Sequence, residues 1–145
     1  MEQPRADGMR DAQAAGLGHE WAMLQDNHEQ YEKISLMIKL AGIALYVACV
    51  ALSLDVVLTL ALTIIMWVQE GILRTSQSRL GDRILRVEQL LRQGGQPYQL
   101  HTEWQAARPG ASGLLAEYGR NMSRPTVAFP YVVLILIEAA SFLLY

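Results

Sequence analysis

The sequence predicts an all-α membrane protein with three transmembrane helices, of which the first two form a helical hairpin extended by an antiparallel cytoplasmic helical stalk. Two long runs, residues 34–72 and 126–145, are nearly free of charge. Their charged residues are Lys39, Asp55 and Glu70 in the first run and Glu138 in the second. Runs this long and this apolar are typical of helices that cross a lipid bilayer.

The first run is too long for a single crossing. A continuous helix over it would measure about 58 Å, whereas the hydrocarbon core of a bilayer is about 30 Å thick. We therefore expect one fold-back at Ser53-Leu54-Asp55, with Ser53 or Asp55 capping the following helix. This places a first span and its outer turn at 34–54 and a second span at 55–73. An uninterrupted helix would bury Asp55 near the bilayer centre, at a cost of about 3 kcal/mol or more.

Two amphipathic stretches, residues 17–33 and 74–93, are expected to pair as the stalk, because each carries a stripe at helical spacing that has to be buried. The first stripe consists of Leu17, Trp21, Leu24, His28, Tyr31, Ser35 and Ile38. The second consists of Leu80, Ile84, Val87 and Leu91, with most charges, Arg83 among them, off the stripe. Gly94, Gly95 and Pro97 are expected to end the second helix. Residues 1–16 show no apolar periodicity and are expected to form a flexible cytoplasmic tail.

Residues 94–125 are predicted to form a Gly/Pro-rich cytoplasmic loop, in which regular structure is short. Small helices are expected around Leu100 to Trp104 and around Leu114 to Tyr118, lying on the headgroup region. Ser123 before Pro125 indicates the start of the third span, 126–145. That span is about 30 Å long, enough for one crossing, but if the helix began at Pro130 the crossing would be marginal.

The distribution of positive charge predicts the orientation. Arg5, Arg10 and Lys33 precede the first span, and eight arginines lie between the second and third spans. The positive-inside rule then places the N-terminus and the long loop in the cytoplasm and the C-terminus outside. Arginine and alanine usage favours a bacterial cytoplasmic (inner) membrane. Aromatic and cationic side chains expected at the membrane interface are Lys39, Trp67 and Tyr31, with the Lys39 stem reaching back to the headgroups.

Glu138 is the residue for which the sequence demands an explanation, because an ionisable group in lipid is costly. Counting helical rise from the inner edge of each span places Tyr46 and Thr63 at a similar depth. We therefore predict a polar layer of Glu138, Tyr46 and Thr63, with both hydroxyls bonded to the carboxyl group. Three roles stay open: a protonated glue between helices, a proton or cation site, and a shifted span that places Glu138 near the outer surface.

Small residues mark one face of the first span. Ala41, Ala44, Ala48 and Ala51 form a stripe of the kind that allows close helix packing, either inside one copy or between copies. Cys49 lies beside this stripe and is expected to be a small buried apolar residue, because no neighbour in sequence would lower its pKa.

Several function classes find no support in the sequence. The formal net charge of -2 gives no basic field for nucleic acid. His28 and Glu32 share a helix face, but two ligands do not make a metal site. No metal, no cofactor and no catalytic residues are predicted, since no phosphate loop, nucleophile elbow or paired-cysteine motif is present.

The sequence favours a non-enzymatic protein of the inner membrane: a scaffold, an accessory subunit or a self-associating module that works through its cytoplasmic helices. Its expected partners are the lipid bilayer and either a second copy or another protein, while a small-molecule or ion ligand stays open. The alternative is an oligomeric ion or proton channel or transporter that uses the intramembrane Glu138.

Overall fold

The structure, a computed structural model, describes residues 3–107 and 110–144, which are helical throughout apart from short connections. The helices in this part of the chain are α1 (Gln3–Ala51), α2 (Val56–Gln93), α3 (Leu100–Ala107), α4 (Ala111–Met122) and α5 (Pro125–Leu144). Three of them, α1, α2 and α5, are long and apolar enough to cross a membrane. The predicted all-α class and the three apolar helices are thus confirmed.

Helix α1 begins much earlier than predicted. The segment 1–16, expected as a flexible tail, is helical from Gln3 onward, and residues 1 and 2 lie outside the described part. The segment is rich in alanine, glutamine and arginine, which are good helix formers. Each added residue extends an existing helix, so it gains a hydrogen bond without a new nucleation cost. Apolar periodicity reports burial of a helix face and not helix formation.

The break between α1 and α2 lies where the sequence places it. Asp55 caps α2, because its Oδ1 accepts hydrogen bonds from the N–H groups of Val57 (2.9 Å) and Leu58 (3.2 Å). The connection contains no glycine, and Ser53 itself adopts a left-handed backbone, with φ 53°. At the other end of α2, Gly94 has φ 80° and its N–H donates to the Leu90 carbonyl at 2.8 Å, the expected glycine C-cap.

Helix α5 begins at Pro125, with the proline in its favoured first position. The preceding carbonyl, that of Arg124, accepts the Val127 N–H at 2.9 Å. The Ser123 hydroxyl instead donates to the Gly119 carbonyl at 2.8 Å, so Ser123 belongs to the end of α4 and does not cap α5. Pro130 lies inside α5, so the alternative in which the helix begins at Pro130 is wrong.

The described chain forms two compact units. Unit 1 contains residues 1–30 and 77–110, and unit 2 contains residues 31–76 and 111–145. The core of unit 1 consists of Leu17, Leu24, Ile84 and Val87, with Leu80, Leu90 and Leu100 packed against it. The four core residues and Leu80 come from the two predicted stripes. Two other members of the stripes are exposed, Trp21 at 36% and Leu91 at 42%. The residues just before them in sequence face inward instead: Glu20 is buried, and Leu90 packs against the core.

Unit 2 packs its helices through small residues and stacked rings. Trp67 of α2 stacks on Tyr131 of α5, with ring centroids 6.3 Å apart and planes 13° from parallel. The Trp67 indole N–H donates to the Met122 carbonyl at 3.1 Å. Gly42 of α1 lies beside the Tyr131 ring, where an added Cβ would make an ordinary van der Waals contact at 3.4 Å. Gly71 leaves room that Met122 needs, because an added Cβ there would overlap the Met122 Cγ.

Candidate functional site

Unit 2 contains two buried carboxyl groups within its apolar helices. Glu70 of α2 has no exposed surface, and Glu138 of α5 is 7% exposed. A carboxyl group buried among apolar side chains has to find hydrogen-bond or charge partners, because its transfer from water is costly otherwise. The partners of these two groups define the polar interior of unit 2.

Glu138 is bonded to α1. The Tyr46 hydroxyl donates to Glu138 Oε2 at 2.9 Å, and Tyr46 is itself buried. Among the described residues no hydrogen bond reaches the other carboxyl oxygen, Oε1. The structure therefore brings together two members of the predicted polar layer, Tyr46 and Glu138.

Thr63, the third predicted member, makes a different bond. Its hydroxyl donates to the Thr59 carbonyl at 2.9 Å, one turn earlier in α2. Thr59 in turn donates to the Asp55 carbonyl at 3.1 Å. Hydroxyl side chains inside helices commonly bond back to the carbonyl four residues before. Counting residues along each helix shows which side chains lie at a similar depth. It does not show which way a side chain faces, or whether its hydroxyl is already bonded to its own helix.

A cavity of about 630 Å³ lies beside Glu138. Tyr46 and Glu138 line it together with the hydroxyl residues Ser53, Thr59 and Ser141. The rest of its lining is apolar: Val47, Val50, Ala51, Leu54 and Ile137. The cavity thus combines apolar walls with a single carboxyl group.

Glu70, one of the three charges in the first apolar run, is the most buried charge of unit 2 among the described residues. Its Oε1 accepts a hydrogen bond from the Ser35 hydroxyl at 3.1 Å and lies 3.0 Å from the Lys39 ammonium. Lys39, expected to extend toward the headgroups, is instead paired inside the unit. A sequence signal exists for this pair: Lys39 and Glu70 lie at nearly equal distances along the chain from the Ser53–Asp55 turn.

Glu70 also interacts with α5, and a separate hydrogen bond joins α4 to α2. Tyr131 of α5 interacts electrostatically with Glu70. It also stacks on Trp67, which lies one helical turn before Glu70 in α2. Asn121 of α4 donates to the Thr75 hydroxyl at 2.8 Å. Both the N–H and the ring of Trp67 thus make contacts inside unit 2. The prediction of an interfacial position for Trp67 did not include these contacts. Tyr31, the other aromatic residue expected at the interface, is half-buried.

Unit 1 has a buried ionic cluster of its own. Arg83, predicted to lie off the buried stripe, is 3% exposed and is paired with Glu20 (2.8 Å) and Glu103 (2.7 Å). The second oxygen of Glu20 accepts the backbone N–H of Tyr98. Arg83 is buried because it neutralises a glutamate that occupies a core position, which apolar periodicity cannot detect. Nearby, the Arg79 guanidinium lies 5.5 Å from the centre of the Trp104 ring.

Within the described residues, no group of three or more histidine, cysteine, aspartate or glutamate side chains is placed to hold a metal ion. Cys49 is buried and free. The His28 side chain, which shares a helix face with Glu32, is half-buried, and its backbone carbonyl accepts the Gln77 amide at 3.5 Å.

Comparison with known protein families, with curated proteins and with solved structures finds no match to this chain.

Replacing Tyr46 by phenylalanine tests the bond that joins α1 to α5. Because Y46F removes the donor to Glu138 Oε2, we expect the free energy of unfolding to fall by about 1 kcal/mol, measured by titration with a denaturing detergent in mixed micelles. Thr63→Val is the matched control, since it removes a buried hydroxyl that serves only its own helix. It should change stability by less than about 0.5 kcal/mol. Equal losses in the two variants would contradict the assignment.

Proposed function

We propose that the chain is an integral membrane protein in which α1 and α2 form a helical hairpin and α5 adds a third span. The exposed apolar side chains of these helices support this, since they need a nonaqueous surrounding. Val57, Phe129 and Leu143 are 72%, 72% and 84% exposed. No more than 22% of the most apolar window in any of the three helices is buried.

The proposed orientation keeps the N-terminus and the loop between α2 and α5 in the cytoplasm of a bacterium. It rests on the arginines of that loop and on the absence of arginine and lysine from the sequence of the opposite side. Arg83 is held by carboxylates and Arg79 contacts a tryptophan ring, so two of the arginines also have structural partners.

Within the membrane we propose that the protein acts as a self-associating, non-enzymatic module or scaffold. All four alanines of the small-residue stripe, Ala41, Ala44, Ala48 and Ala51, are exposed, while α1 turns Gly42, Tyr46 and Cys49 inward. The stripe therefore has no packing role inside one copy. Small residues on an exposed helix face let a second helix approach closely, which is how helices associate in lipid.

Unit 1 adds surface for a second copy or another protein. Its helices expose large apolar side chains at Met9, Met23, Leu85 and Leu91, between 42% and 64%. Exposed apolar patches outside the lipid-facing parts of these helices are a common feature of interaction surfaces.

A second candidate function, ion or proton conduction, has one observation in its favour. Glu138 is a buried ionisable group beside a cavity, and only one of its two oxygens is bonded among the described residues. Intramembrane carboxyl groups placed in this way are frequent in proton and cation pathways.

The proposed topology predicts which sites a membrane-impermeant thiol reagent reaches. In a Cys49→Ala background, a cysteine at Ser53 or added after Tyr145 should be labelled in intact cells. A cysteine at Gly95 should be labelled only after the membrane is permeabilised. Labelling of Gly95 alone in intact cells would reverse the orientation, and labelling of all three would contradict the membrane topology.

Self-association predicts a specific effect of bulk on the alanine stripe. Ala48→Leu should weaken association about tenfold, measured by energy transfer between labelled copies diluted in lipid vesicles, because a larger side chain separates the helices. Ala61→Leu is the matched control, since Ala61 is an exposed alanine on α2, outside the stripe. Equal association of wild type, A48L and A61L would contradict the role of the stripe.

The same vesicles distinguish the scaffold from the second candidate. If the wild-type protein conducts protons or cations, and Glu138→Gln abolishes the flux while folding and association persist, the scaffold function is wrong. If the wild-type protein carries no flux and Glu138→Leu is tolerated, conduction is contradicted instead.

A further inference from the structure

The cavity beside Glu138 has the size and composition of a binding site for an organic molecule. Pockets for small ligands have volumes of roughly 300–1,000 Å³, with mostly apolar walls and a few polar groups that fix orientation. The cavity in unit 2, at about 630 Å³, lies within that range and has one carboxyl group on its wall.

The polar groups on the wall differ in what they can still bind. The hydroxyls of Thr59 and Ser141 donate to carbonyls of their own helices, those of Asp55 and Ile137. Tyr46 donates to Glu138 Oε2. Glu138 is only 7% exposed, and its Oε1 has no hydrogen bond among the described residues. The strongest acceptor on the wall is therefore one carboxylate oxygen, oriented by Tyr46.

A single carboxyl group in an apolar cavity favours an organic cation over a bare metal ion. A bare metal ion requires several oxygen ligands at about 2.0–2.6 Å, and a single carboxyl group in so large a space does not supply them. An ammonium group donates hydrogen bonds to a carboxylate and gains charge assistance. An apolar body attached to that ammonium fits the apolar remainder of the cavity.

We propose that the cavity binds an organic ammonium ion carried on an apolar body, with the ammonium on Glu138 Oε1 and the body against Val50 and Ile137. Tyr46 positions the carboxyl group and does not contact the ammonium. Such a molecule is either a free amphiphilic amine or a lipid with an ammonium headgroup. Ser53 and Leu54 of the turn also line the cavity, so under the proposed topology it extends from Glu138 to the outer headgroup level. The binding itself does not require self-association.

The test uses the full chain in nanodiscs of phosphatidylglycerol, a lipid without an ammonium group. Phenylbutylammonium and its uncharged analogue phenylbutanol are titrated by calorimetry. We expect the ammonium to bind at least about tenfold more tightly than the alcohol, as a charge-assisted hydrogen bond predicts. Glu138→Gln, which keeps the shape and the acceptor for Tyr46, should remove this difference.

Glu29→Gln is the matched control, because it removes one carboxylate from an exposed position in unit 1 and should leave binding unchanged. Ser141→Phe fills the cavity without altering Glu138 and should abolish binding of both probes. It decides the outcome if E138Q does not fold. The proposal is overturned if the ammonium binds no better than the alcohol, if E138Q and E29Q bind it equally, or if S141F binds it as wild type does.

A second arm identifies the source of the ammonium. Phosphatidylethanolamine added to the nanodiscs competes with phenylbutylammonium if a lipid headgroup is the natural occupant. Unchanged binding in its presence indicates a free amphiphilic amine. Because the readout is binding, failure of this proposal leaves the self-association test untouched, and the reverse also holds.

Discussion

Glu70 has no exposed surface, so the pairing of its carboxyl group constrains how the helices of unit 2 meet. Its partners, Lys39 and Ser35, lie one turn apart on α1. An ion pair removed from water is stable only when both charges are held in close register, because loss of either partner leaves the other charge buried alone. A shift of α1 against α2 by one turn, about 5.4 Å, would break it. Packing of alanine, valine and leucine side chains would tolerate such a shift far better.

The other contacts of unit 2 follow from this register. With Lys39 opposite Glu70, Gly42 lies against the ring of Tyr131, which stacks on Trp67. Further along α1, Tyr46 meets Glu138 of α5. The Lys39–Glu70 ion pair thus fixes the position of α1 relative to α2. The Trp67–Tyr131 stack and the Tyr46–Glu138 hydrogen bond then hold α5 against these two helices.

The sequence predicted the features that depend on composition and local chemistry: the three apolar helices, the turn capped by Asp55, the glycine at the end of α2, and the candidate polar role of Glu138. It did not predict features that depend on the direction in which a side chain faces. Arg83 and Glu70 are buried because a partner on another segment neutralises them, and no periodicity of apolar residues reports that. Thr63 was expected to bond Glu138, but the carbonyl of its own helix already accepts its hydroxyl. The equal spacing of Lys39 and Glu70 from the turn was visible in the sequence and is the signal that could have found the pair.

A double-mutant cycle on Lys39 and Glu70 tests the constraint most directly. The free energy of unfolding is measured in mixed micelles for Lys39→Met, Glu70→Leu and the double variant. We predict that K39M, which leaves a buried carboxylate without its cation, costs about 3–5 kcal/mol, whereas the double variant loses clearly less than K39M alone. Losses in the single variants that add up to the loss in the double variant would show that the two residues are not coupled, and would contradict the central role of the pair.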